Sequence, residues 1–527
     1  MNPRRQSFVR KIIYLVAIAI LLTAISFLGR PSTIGKKRVQ GSPGGILAQR
    51  RVKEGLNQAD LGQIDPTSET IKYATLGMRG IAANVLWHKA TEYQKKKDWT
   101  NLKAAVNQII RVQPNFVAVW RFYGWNLAFN VSVEFDNFRD RYYWVIQGIE
   151  FYEEGTKYNE HSPRLAWETG WAVQQKIGRS DEKKQFRRLF ARDDDFHGNR
   201  VGPERDCWLV AREWYLLAEE KVDLQGDKMS GTSPVVFRSS APMCLIKYAG
   251  AKEDEGTFGD VACGSWRKAY DYWVGNEERD IIGYGQKDIP TSFDFHIRLN
   301  DQERLEKKAE KEAEKLDAIQ PGLREKIRQE RYEGLTEEMR EAFDTPAAER
   351  TGKQHGLASK AKAAMKVTHK DVAKRIKGSM RDKAVELADK ATDLEWQATI
   401  TRRYRDIVNF VYWRDRAKIE QEPDTLLARE SIYDGDLAFA DGRPNDALEC
   451  YDRGFEAWSR VLKKHEIMLQ ERKTSDTPAG IEVDVPTFRD DLVDVIERYR
   501  KILDQLDMEF PKDFILQKFL DKYADKQ

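Results

Sequence analysis

The chain has little cysteine, with four residues in 527 and no C-x-x-C pair. This excludes a disulfide-stapled scaffold and the common cysteine-based zinc sites. Seventeen prolines and 34 glycines are too few for a fibrous or low-complexity chain. Neither charge is in large excess, since 88 basic residues face 85 acidic ones and the net charge is +3. That balance argues against nucleic-acid binding through global charge.

The sequence also lacks the short motifs of the common enzyme classes. G-x-S-x-G, H-E-x-x-H, G-x-G-x-x-G and the P-loop motif are all absent from it. We therefore predict a protein that is not an enzyme, with no catalytic residues and no cofactor. The alternative is an enzyme, namely a metal-dependent or other hydrolase with a site in residues 223–300.

One acidic cluster has the chemistry of a metal site. Asp193, Asp194, Asp195 and His197 place three carboxylates and an imidazole within five residues, which suits a hard or borderline cation. The cluster follows a predicted helix, however, where acidic residues and a short break are common. Arginines also precede it and offer ion-pair partners. We therefore predict no metal site here.

A single stretch is apolar enough to cross a membrane. Ile12–Leu28 is uncharged and follows a basic segment, and as a helix it would reach ~25 Å, close to the ~30 Å hydrocarbon core. We predict a signal-anchor helix with the body outside the cytoplasm. The alternative is a cleaved signal peptide, because Ala24 and Ser26 form a small-x-small cleavage site. In an oxidising compartment Cys244 and Cys263 could pair, although we favour free thiols.

Periodicity and composition predict an all-α fold with several segments. Spacings of three and four between apolar residues indicate helices, and clusters of Gly, Pro and Ser indicate breaks. Gly352 and Gly356 mark the turn of a long charged hairpin. The predicted segments are the tail and anchor (1–29), a stalk (30–70), TPR-like repeats (71–222), an irregular insertion with one helix near 265–273 (223–300), the charged hairpin (301–420) and a C-terminal TPR-like helical unit (421–527).

Self-similarity predicts that some of these helices are repeats. Ala90 and Gly124 lie 34 residues apart, which is the tetratricopeptide (TPR) period. Near the other end, Gly435 is followed after twelve residues by Ala447 and then by Tyr451. Small residues are expected where the two helices of a repeat cross, since a larger side chain would hold the helices apart. An aromatic side chain then fills the space beside the crossing.

Two further units depart from this spacing. The second helix of the Gly124 unit carries Gly148 and Tyr152, displaced by twelve residues from the period. The unit of Gly170 leads to Phe186, which predicts residues around 186 as its second helix. A repeat cannot bury its apolar face alone, so we expect neighbouring units to stack.

Four further segments of the sequence are distinctive: Leu76–Asn84, Trp125–Ser132, Arg139–Tyr143 and Asp193–His197. Through its repeats the chain resembles TPR proteins. Through these four segments, residues 75–220 are more closely similar to a bacterial family of membrane-anchored, repeat-containing proteins. Members of that family sometimes carry the label "iron responsive element", a term for an RNA structure that no residue pattern here explains. The resemblance implies a membrane-associated helical-repeat fold, extended by an isolated unit at 428–461, and supplies no catalytic residues.

In a TPR superhelix the first helix of each repeat lines a concave groove. Counting from the small residue of each first helix places Trp87, Arg121, Trp125, Trp167 and Trp171 in that groove. Tryptophan and arginine dominate interface hot spots. We therefore predict a membrane-tethered helical-repeat scaffold that binds a protein or peptide there. The alternative is that residues 223–300 fold back and fill the groove.

The charged middle of the chain contains a basic stretch. Lys360–Lys383 carries nine basic residues against two acids, a pattern that also suits phosphate-rich surfaces. We predict a solvated helix face, neutralised by the acidic helices of 303–349. No aromatic residue interleaves the run as single-strand stacking requires, so we predict no nucleic-acid partner. A further alternative is an envelope structural protein that self-associates through 301–420.

Overall fold

A computed structural model describes residues 11–21, 23, 44–46, 49–50, 79–225, 231–465 and 488–523. Within these ranges the chain is helical, with one antiparallel pair of two-residue strands, β1 (Ile289–Pro290) and β2 (His296–Ile297). This confirms the predicted all-α class. The chain divides into two units, the first Met1–Thr232 with Met243–Tyr248, and the second Ser233–Pro242 with Ala249–Gln527.

The predicted membrane anchor lies partly outside the described residues. Residues 11–21 are helical, and their large apolar side chains are exposed, that of Leu15 by 69%. No helix in the described ranges has both the length and the apolar character needed to span a membrane. The predicted stalk, 30–70, lies outside the described residues except for 44–46 and 49–50.

The first unit is built from helix pairs in chain order. Its helices are α1 (Arg79–Lys95), α2 (Trp99–Val112), α3 (Val117–Trp125), α4 (Phe138–Tyr158), α5 (Pro163–Ala172), α6 (Lys183–Ala191), α7 (Asp194–His197) and α8 (Cys207–Gln225). Two π-helical segments, π1 (Asn126–Val131) and π2 (Val173–Gly178), continue α3 and α5. The starts follow the capping rules: the Ser162 hydroxyl accepts from the N–H of Leu165 at 3.2 Å, and Pro163 takes the first helical position.

The helices α3 and α4 cross at a point that requires glycine. A Cβ atom on Gly148 would lie 2.8 Å from both the backbone nitrogen of Ala128 and the carbonyl oxygen of Gly124. The ring of Tyr152 fills the space beside the crossing, as predicted, 3.0 Å from the Cβ position of Gly124. The twelve extra residues are absorbed by longer helices, because π1 extends α3 and α4 has 21 residues against 14 in α2.

The partner of Gly170 differs from the prediction. The spacing predicts α6, the helix of Phe186, as the second helix of this pair. A Cβ atom on Gly170 would instead lie 2.9 Å from the carbonyl oxygen of Ala211 and 3.1 Å from the Cβ of Trp214, both on α8. The prediction is wrong because α6 and α7 are inserted between the two helices that cross.

The second unit contains the remaining helices. They are α9 (Pro234–Asp254), α10 (Gly259–Val274), α11 (Gln302–Asp317), α12 (Leu323–Glu333), α13 (Glu337–Asp344), α14 (Gly352–Met365), α15 (His369–Arg375), α16 (Arg381–Ile407), α17 (Phe410–Ile419), α18 (Pro423–Ala440), α19 (Pro444–Lys464), α20 (Phe488–Gln505) and α21 (Gln517–Tyr523). Six residues of α9, 243–248, belong to the first unit.

Residues 223–300 are more helical than predicted. The helices α9 and α10 occupy much of a segment whose Gly, Ser and Pro content predicts irregular structure. Pro234 stands at the first position of α9, where its missing N–H costs nothing. Gly250 faces the indole of Trp266, 3.9 Å from its Cβ position, so that it serves helix packing. The irregular part begins at Gly275, after α10.

The charged hairpin is present, but its connection is not the predicted turn. The helices α11 and α16 run antiparallel, as shown by the ion pairs Glu303–Arg405 at 2.8 Å and Glu312–Lys390 at 3.4 Å. Four further helices, α12 to α15, lie between them in the chain. The two long helices of the hairpin are therefore joined by four shorter helices and not by a single turn.

The two glycines predicted to form the turn lie inside a helix. Gly352 and Gly356 both belong to α14, and the Thr351 hydroxyl with the Gln354 side chain forms a capping box that starts this helix. The capping box satisfies N-terminal N–H groups that would otherwise lack a partner. A strong start signal thus outweighs the low helix propensity of glycine.

The C-terminal helix pair matches its predicted spacing. A Cβ atom on Gly435 of α18 would lie 2.7 Å from the ring of Tyr451 on α19. Ala447 is fully buried at the same crossing. The structure has all four cysteines as free thiols, including Cys244 and Cys263.

A buried ionic network joins four helices of the second unit. The guanidinium groups of Arg416 and Arg429 lie over the ring of Phe488, 4.8 and 5.2 Å from its centroid. The fully buried Glu420 accepts from Arg429 at 2.7 Å, and Asp491 contacts Arg416 at 3.0 Å. Three carboxylates, with Glu253 as the third, thus face two guanidinium groups.

Glu253 is the carboxyl group of this network that no guanidinium charge balances. Its Oε1 accepts from the indole N–H of Trp266 at 2.8 Å, and its Oε2 lies 4.0 Å from the Nε of Arg429. Burial, and then the negative charge of Glu420, raise the pKa of Glu253 to about 8. The protonated form is therefore the one that suits the folded protein near neutral pH.

We expect the stability of the protein to fall as the pH rises towards 9. A carboxyl whose folded-state pKa is raised contributes stability that is complete below its unfolded pKa, near 4.5, and is lost as the pH passes about 8. In Glu253→Gln the drop in melting temperature between pH 6 and pH 9 should be smaller than in the wild type. Glu277→Gln, at an exposed position, is the control. Parallel curves for wild type and Glu253→Gln would contradict the assignment.

Candidate functional site

An exposed aromatic stack lies where α3–π1 meets α5–π2. The ring of Phe129 lies 6.0 Å from that of Trp125 and 5.1 Å from that of Trp171, with interplanar angles of 13° and 22°. Trp125 is 41% exposed, and Phe129 and Trp171 are half-buried. These three near-parallel rings, the aromatic stack, form an apolar surface shared by two neighbouring helix pairs.

A lysine ammonium completes the aromatic stack. The Nζ of Lys176 lies 5.0 Å from the ring centroid of Phe129, within cation–π range. Among the described residues no carboxylate forms an ion pair with Lys176. Burial lowers the pKa of Lys176, partly opposed by the charge of Glu182. The site therefore holds a half-buried amine that is available to an anionic group of a ligand.

The π-helical segments explain how these side chains meet. Lys176 follows Trp171 by five residues, and in an α-helix two such positions lie about 140° apart around the axis. In a π-helix the i→i+5 hydrogen bond makes them neighbours. Because π2 spans residues 173–178, both side chains can reach Phe129.

An amide network anchors π1 to the preceding helix pair. The Oδ1 of the fully buried Asn126 accepts from the Nε2 of Gln94 at 3.1 Å and from the Nδ2 of Asn130 at 2.7 Å. The Nδ2 of Asn126 donates to the carbonyl oxygen of Phe122 at 2.7 Å. These bonds satisfy a buried side chain and fix the orientation of π1 under the stack.

The other predicted groove residues have partners within the unit. Arg121 pairs with Glu168 at 2.6 Å, and Arg164 donates to the same carboxylate at 2.7 Å, which links α3 to α5. Trp167 is half-buried beneath the Arg164 guanidinium, 5.2 Å from it, and its ring centroid lies 5.8 Å from that of Tyr215. Arg121 and Trp167 lie four residues, about one helical turn, before Trp125 and Trp171 respectively.

Trp87 does not join this surface. It is half-buried in the core of the first two helix pairs, with its ring centroid 4.9 Å from that of Phe122 and 5.6 Å from that of Phe116. The structure therefore brings together Trp125 and Trp171 of the five predicted residues. Trp87 acts as a core residue of the first pair.

The sequence prediction missed Phe129 and Lys176. It counted only the residue next to each small residue and the residue three before it, and neither Phe129 nor Lys176 stands at such a position. An aromatic residue four positions after Trp125 and a lysine five positions after Trp171 were the available signals. Only the second departs from the α-helical period, and one lysine alone does not predict a π-helix.

The acidic cluster near residue 195 is distributed over separate contacts. Asp193 accepts from the hydroxyl of Tyr142 at 2.6 Å, and Asp194 pairs with Arg205 at 2.7 Å. The Nε2 of His197 contacts the carbonyl oxygen of Phe190 at 2.7 Å. In the described part of the chain, no group of three or more His, Cys, Asp or Glu side chains is arranged to hold a metal ion.

No model of a protein family, no curated protein and no solved structure matches the chain. The function is therefore argued from the contacts and exposure of its own residues.

Proposed function

We propose that the chain is a membrane-tethered helical-repeat scaffold that binds a protein or peptide segment at the aromatic stack. The observation that carries the proposal is the stack itself, with Trp125 exposed at its end and Phe129 and Trp171 half-buried beneath it. A contiguous apolar surface of this kind is favourable when a partner covers it. Large aromatic side chains are also the residues that contribute most to binding free energy.

The surroundings of the stack suit a protein ligand. The Lys176 ammonium borders the apolar centre, and the ion pair of Arg121 with Glu168 lies about one helical turn before Trp125 and Trp171. An apolar centre with a polar border is the usual anatomy of a protein interface. The two π-helical segments support the proposal further, since such segments are frequent at functional sites.

The tether and the repeat type belong to the same proposal. The uncharged run Ile12–Leu28 supports an anchor that leaves the body outside the cytoplasm, and lipid would cover the exposed apolar side chains of residues 11–21. The close Gly435–Tyr451 contact, repeated as Gly124–Tyr152, supports degenerate TPR-like repeats. No step of this proposal requires a catalytic group.

Alanine at Trp125 or at Trp171 should weaken ligand binding with little loss of stability. We expect an affinity at least about 10-fold lower, because truncating an aromatic hot spot costs ~2 kcal/mol or more. The melting temperature of Trp125→Ala should change by only about 1–2 °C, since its side chain is 41% exposed. Peptides selected from a displayed library on the purified full chain, then titrated against each variant, provide the measurement.

The second unit offers a matched control. Trp396 on α16 is 45% exposed, so Trp396→Ala removes a similar side chain far along the chain from the stack. The selected peptides should bind this variant as they bind the wild type. Equal affinity of wild type and Trp125→Ala for these peptides, or a library that enriches none, would rule out the stack as the binding surface.

A further inference from the structure

The basic segment Lys360–Lys383 covers the end of α14, all of α15 and the start of α16. Two of its nine cations have acidic partners: Lys370 lies 3.3 Å from Asp389, and Arg375 lies 2.9 Å from Glu330. Within the described residues the other seven pair with no carboxylate. All seven are exposed: Lys360, Lys362, Lys366, Lys374, Lys377, Arg381 and Lys383.

The exposed cations agree with the predicted solvated face, whereas the predicted neutralisation by residues 303–349 is limited, among the described residues, to the ion pair of Arg375 with Glu330. Acidic side chains of that region are occupied by arginines of their own helices or of adjacent turns. Glu325 contacts Arg328 at 3.1 Å, and Asp317 contacts Arg324 at 2.7 Å. Glu330 is the acid of 303–349 that forms an ion pair with the basic segment in the described structure.

The half-buried acid inside the segment, Asp371, is also occupied. Asp371 accepts from the N–H of Thr368 at 3.0 Å and pairs with Arg331 at 2.9 Å, and these contacts, led by the Thr368 backbone bond, lower its pKa to about 2. It therefore stays ionised and bound to groups outside the seven exposed cations. The segment carries a large local excess of positive charge in a chain whose total is nearly neutral.

Two apolar side chains are exposed near the end of this segment. Met380 is 40% exposed, and Val385, five residues later and just beyond the segment, is 43% exposed. Met380 ends a single 3-10 turn that begins at Gly378, whose φ of +78° suits glycine. Exposed apolar residues surrounded by lysine and arginine are typical of surfaces that lie in the interface of a membrane.

We propose that the basic segment is a second membrane contact, which docks on anionic lipid headgroups with Met380 inserted among them. Each Lys or Arg near an anionic surface contributes about 1 kcal/mol, or about 5-fold in affinity, and the effect is screened by salt. A tethered body also meets the lipid surface at high effective concentration. A weak docking surface would then suffice to hold the body against the membrane.

Lipid fits this surface better than nucleic acid does. The segment contains no tryptophan, tyrosine or phenylalanine on which bases could stack. Met380 and Val385 would gain nothing from a phosphate backbone, whereas they bury apolar area in the headgroup region. Lipid headgroups and nucleic acids both present phosphate groups, and the experiment below distinguishes between them.

The test uses the full chain with vesicles of a zwitterionic lipid, alone or mixed with an anionic lipid. Modification of lysines by an amine reagent, read by peptide mass spectrometry, reports which side chains the lipid covers. We expect Lys374, Lys377 and Lys383 to be protected several-fold by anionic vesicles, and the protection to disappear at high salt. Zwitterionic vesicles report binding through the N-terminal anchor alone, so failure of the anchor is distinguishable from failure of the docking.

A charge-matched pair of variants makes the test specific. Lys374→Gln, Lys377→Gln and Lys383→Gln together should lower affinity for anionic vesicles about 100-fold, at about 5-fold per charge. The control neutralises three exposed lysines of α11 and α12, Lys307, Lys311 and Lys326, and should change affinity far less. Met380→Asp should also weaken binding without altering the fold.

Three results would overturn the proposal. The first is equal loss of affinity in the two triple variants, which indicates a response to total charge. The second is no change in lysine modification between anionic and zwitterionic vesicles. The third is stronger protection of the same lysines by duplex RNA than by anionic vesicles, which identifies a nucleic-acid surface.

Discussion

Replacing Arg429 with methionine is expected to destabilise the protein by about 3–5 kcal/mol, the range for breaking a buried ion pair. The guanidinium contacts the fully buried Glu420 at 2.7 Å and Asp491 at 3.2 Å, and it lies 5.2 Å from the ring centroid of Trp458. Methionine retains much of the packing volume but removes the charge. The buried Glu420 and the half-buried Asp491 would then depend on Arg416 alone. Chemical denaturation of the full chain measures the free energy of unfolding.

An exposed arginine and a compensating change serve as controls. Arg443 pairs with Asp446 at 2.7 Å on the surface, where water and salt screen the charges, so Arg443→Met should lower the free energy of unfolding far less than Arg429→Met does. Adding Glu420→Gln to Arg429→Met should recover part of the loss, because it removes the carboxylate left without its main partner. Similar costs at Arg429 and Arg443 would show that the network contributes no more than a surface ion pair.

Alanine at Gly148 is expected to cost about 1–3 kcal/mol, although it adds a single methyl group. Its Cβ would lie 2.8 Å from backbone atoms of Ala128 and Gly124, and backbone atoms inside a helix crossing cannot move independently. The two helices would have to separate, which loosens the packing of Tyr152. The melting temperature should therefore fall by several degrees.

The matched control for this prediction is a helical glycine with free space. Gly356 in α14 has no atom within 4 Å of its Cβ position. Alanine there should stabilise the protein by about 0.5–1 kcal/mol, since glycine loses more conformational freedom than alanine on entering a helix. Shifts of the same sign at Gly148 and Gly356 would mean that the α3–α4 crossing is not a tight one.

Local sequence signals predicted the helix pairs whose members are neighbours in the chain. The pairing of Gly435 with Tyr451 follows from a spacing of sixteen residues, and the structure has it. The partner of Gly170 was not predictable in this way, because α8 is reached only after α6 and α7. Period alone does not say which later helix buries a given face, since that depends on which apolar surfaces remain free.

Residues 223–300 show a second limit of the same kind. Proline and glycine are typical of breaks between helices, yet Pro234 starts a helix and Gly250 packs against Trp266. Their role depends on position within the helix and on a partner far along the chain. Composition averaged over the segment removes that information.

The candidate site was predictable only in part for a geometric reason. Trp125 and Trp171 are adjacent to the small residue of their helices, so α-helical counting finds them. Phe129 and Lys176 lie in π1 and π2, where the hydrogen-bonding period changes from four residues to five. An α-helical period is therefore wrong for Lys176, five residues after Trp171, whereas Phe129, four residues after Trp125, lay beyond the positions that were counted.

The two π-helical segments also change the direction in which later side chains of their helices face. A π-turn accommodates one residue more than an α-turn, so residues after each segment are rotated by about 100° around the axis relative to an uninterrupted α-helix. Both begin within three residues of the small residue of their helix, Gly124 or Gly170, whereas α1 remains α-helical from Arg79 to Lys95 around Ala90. The side chains that follow the small residue are therefore displaced around the helix axis in the second and third helix pairs, and not in the first.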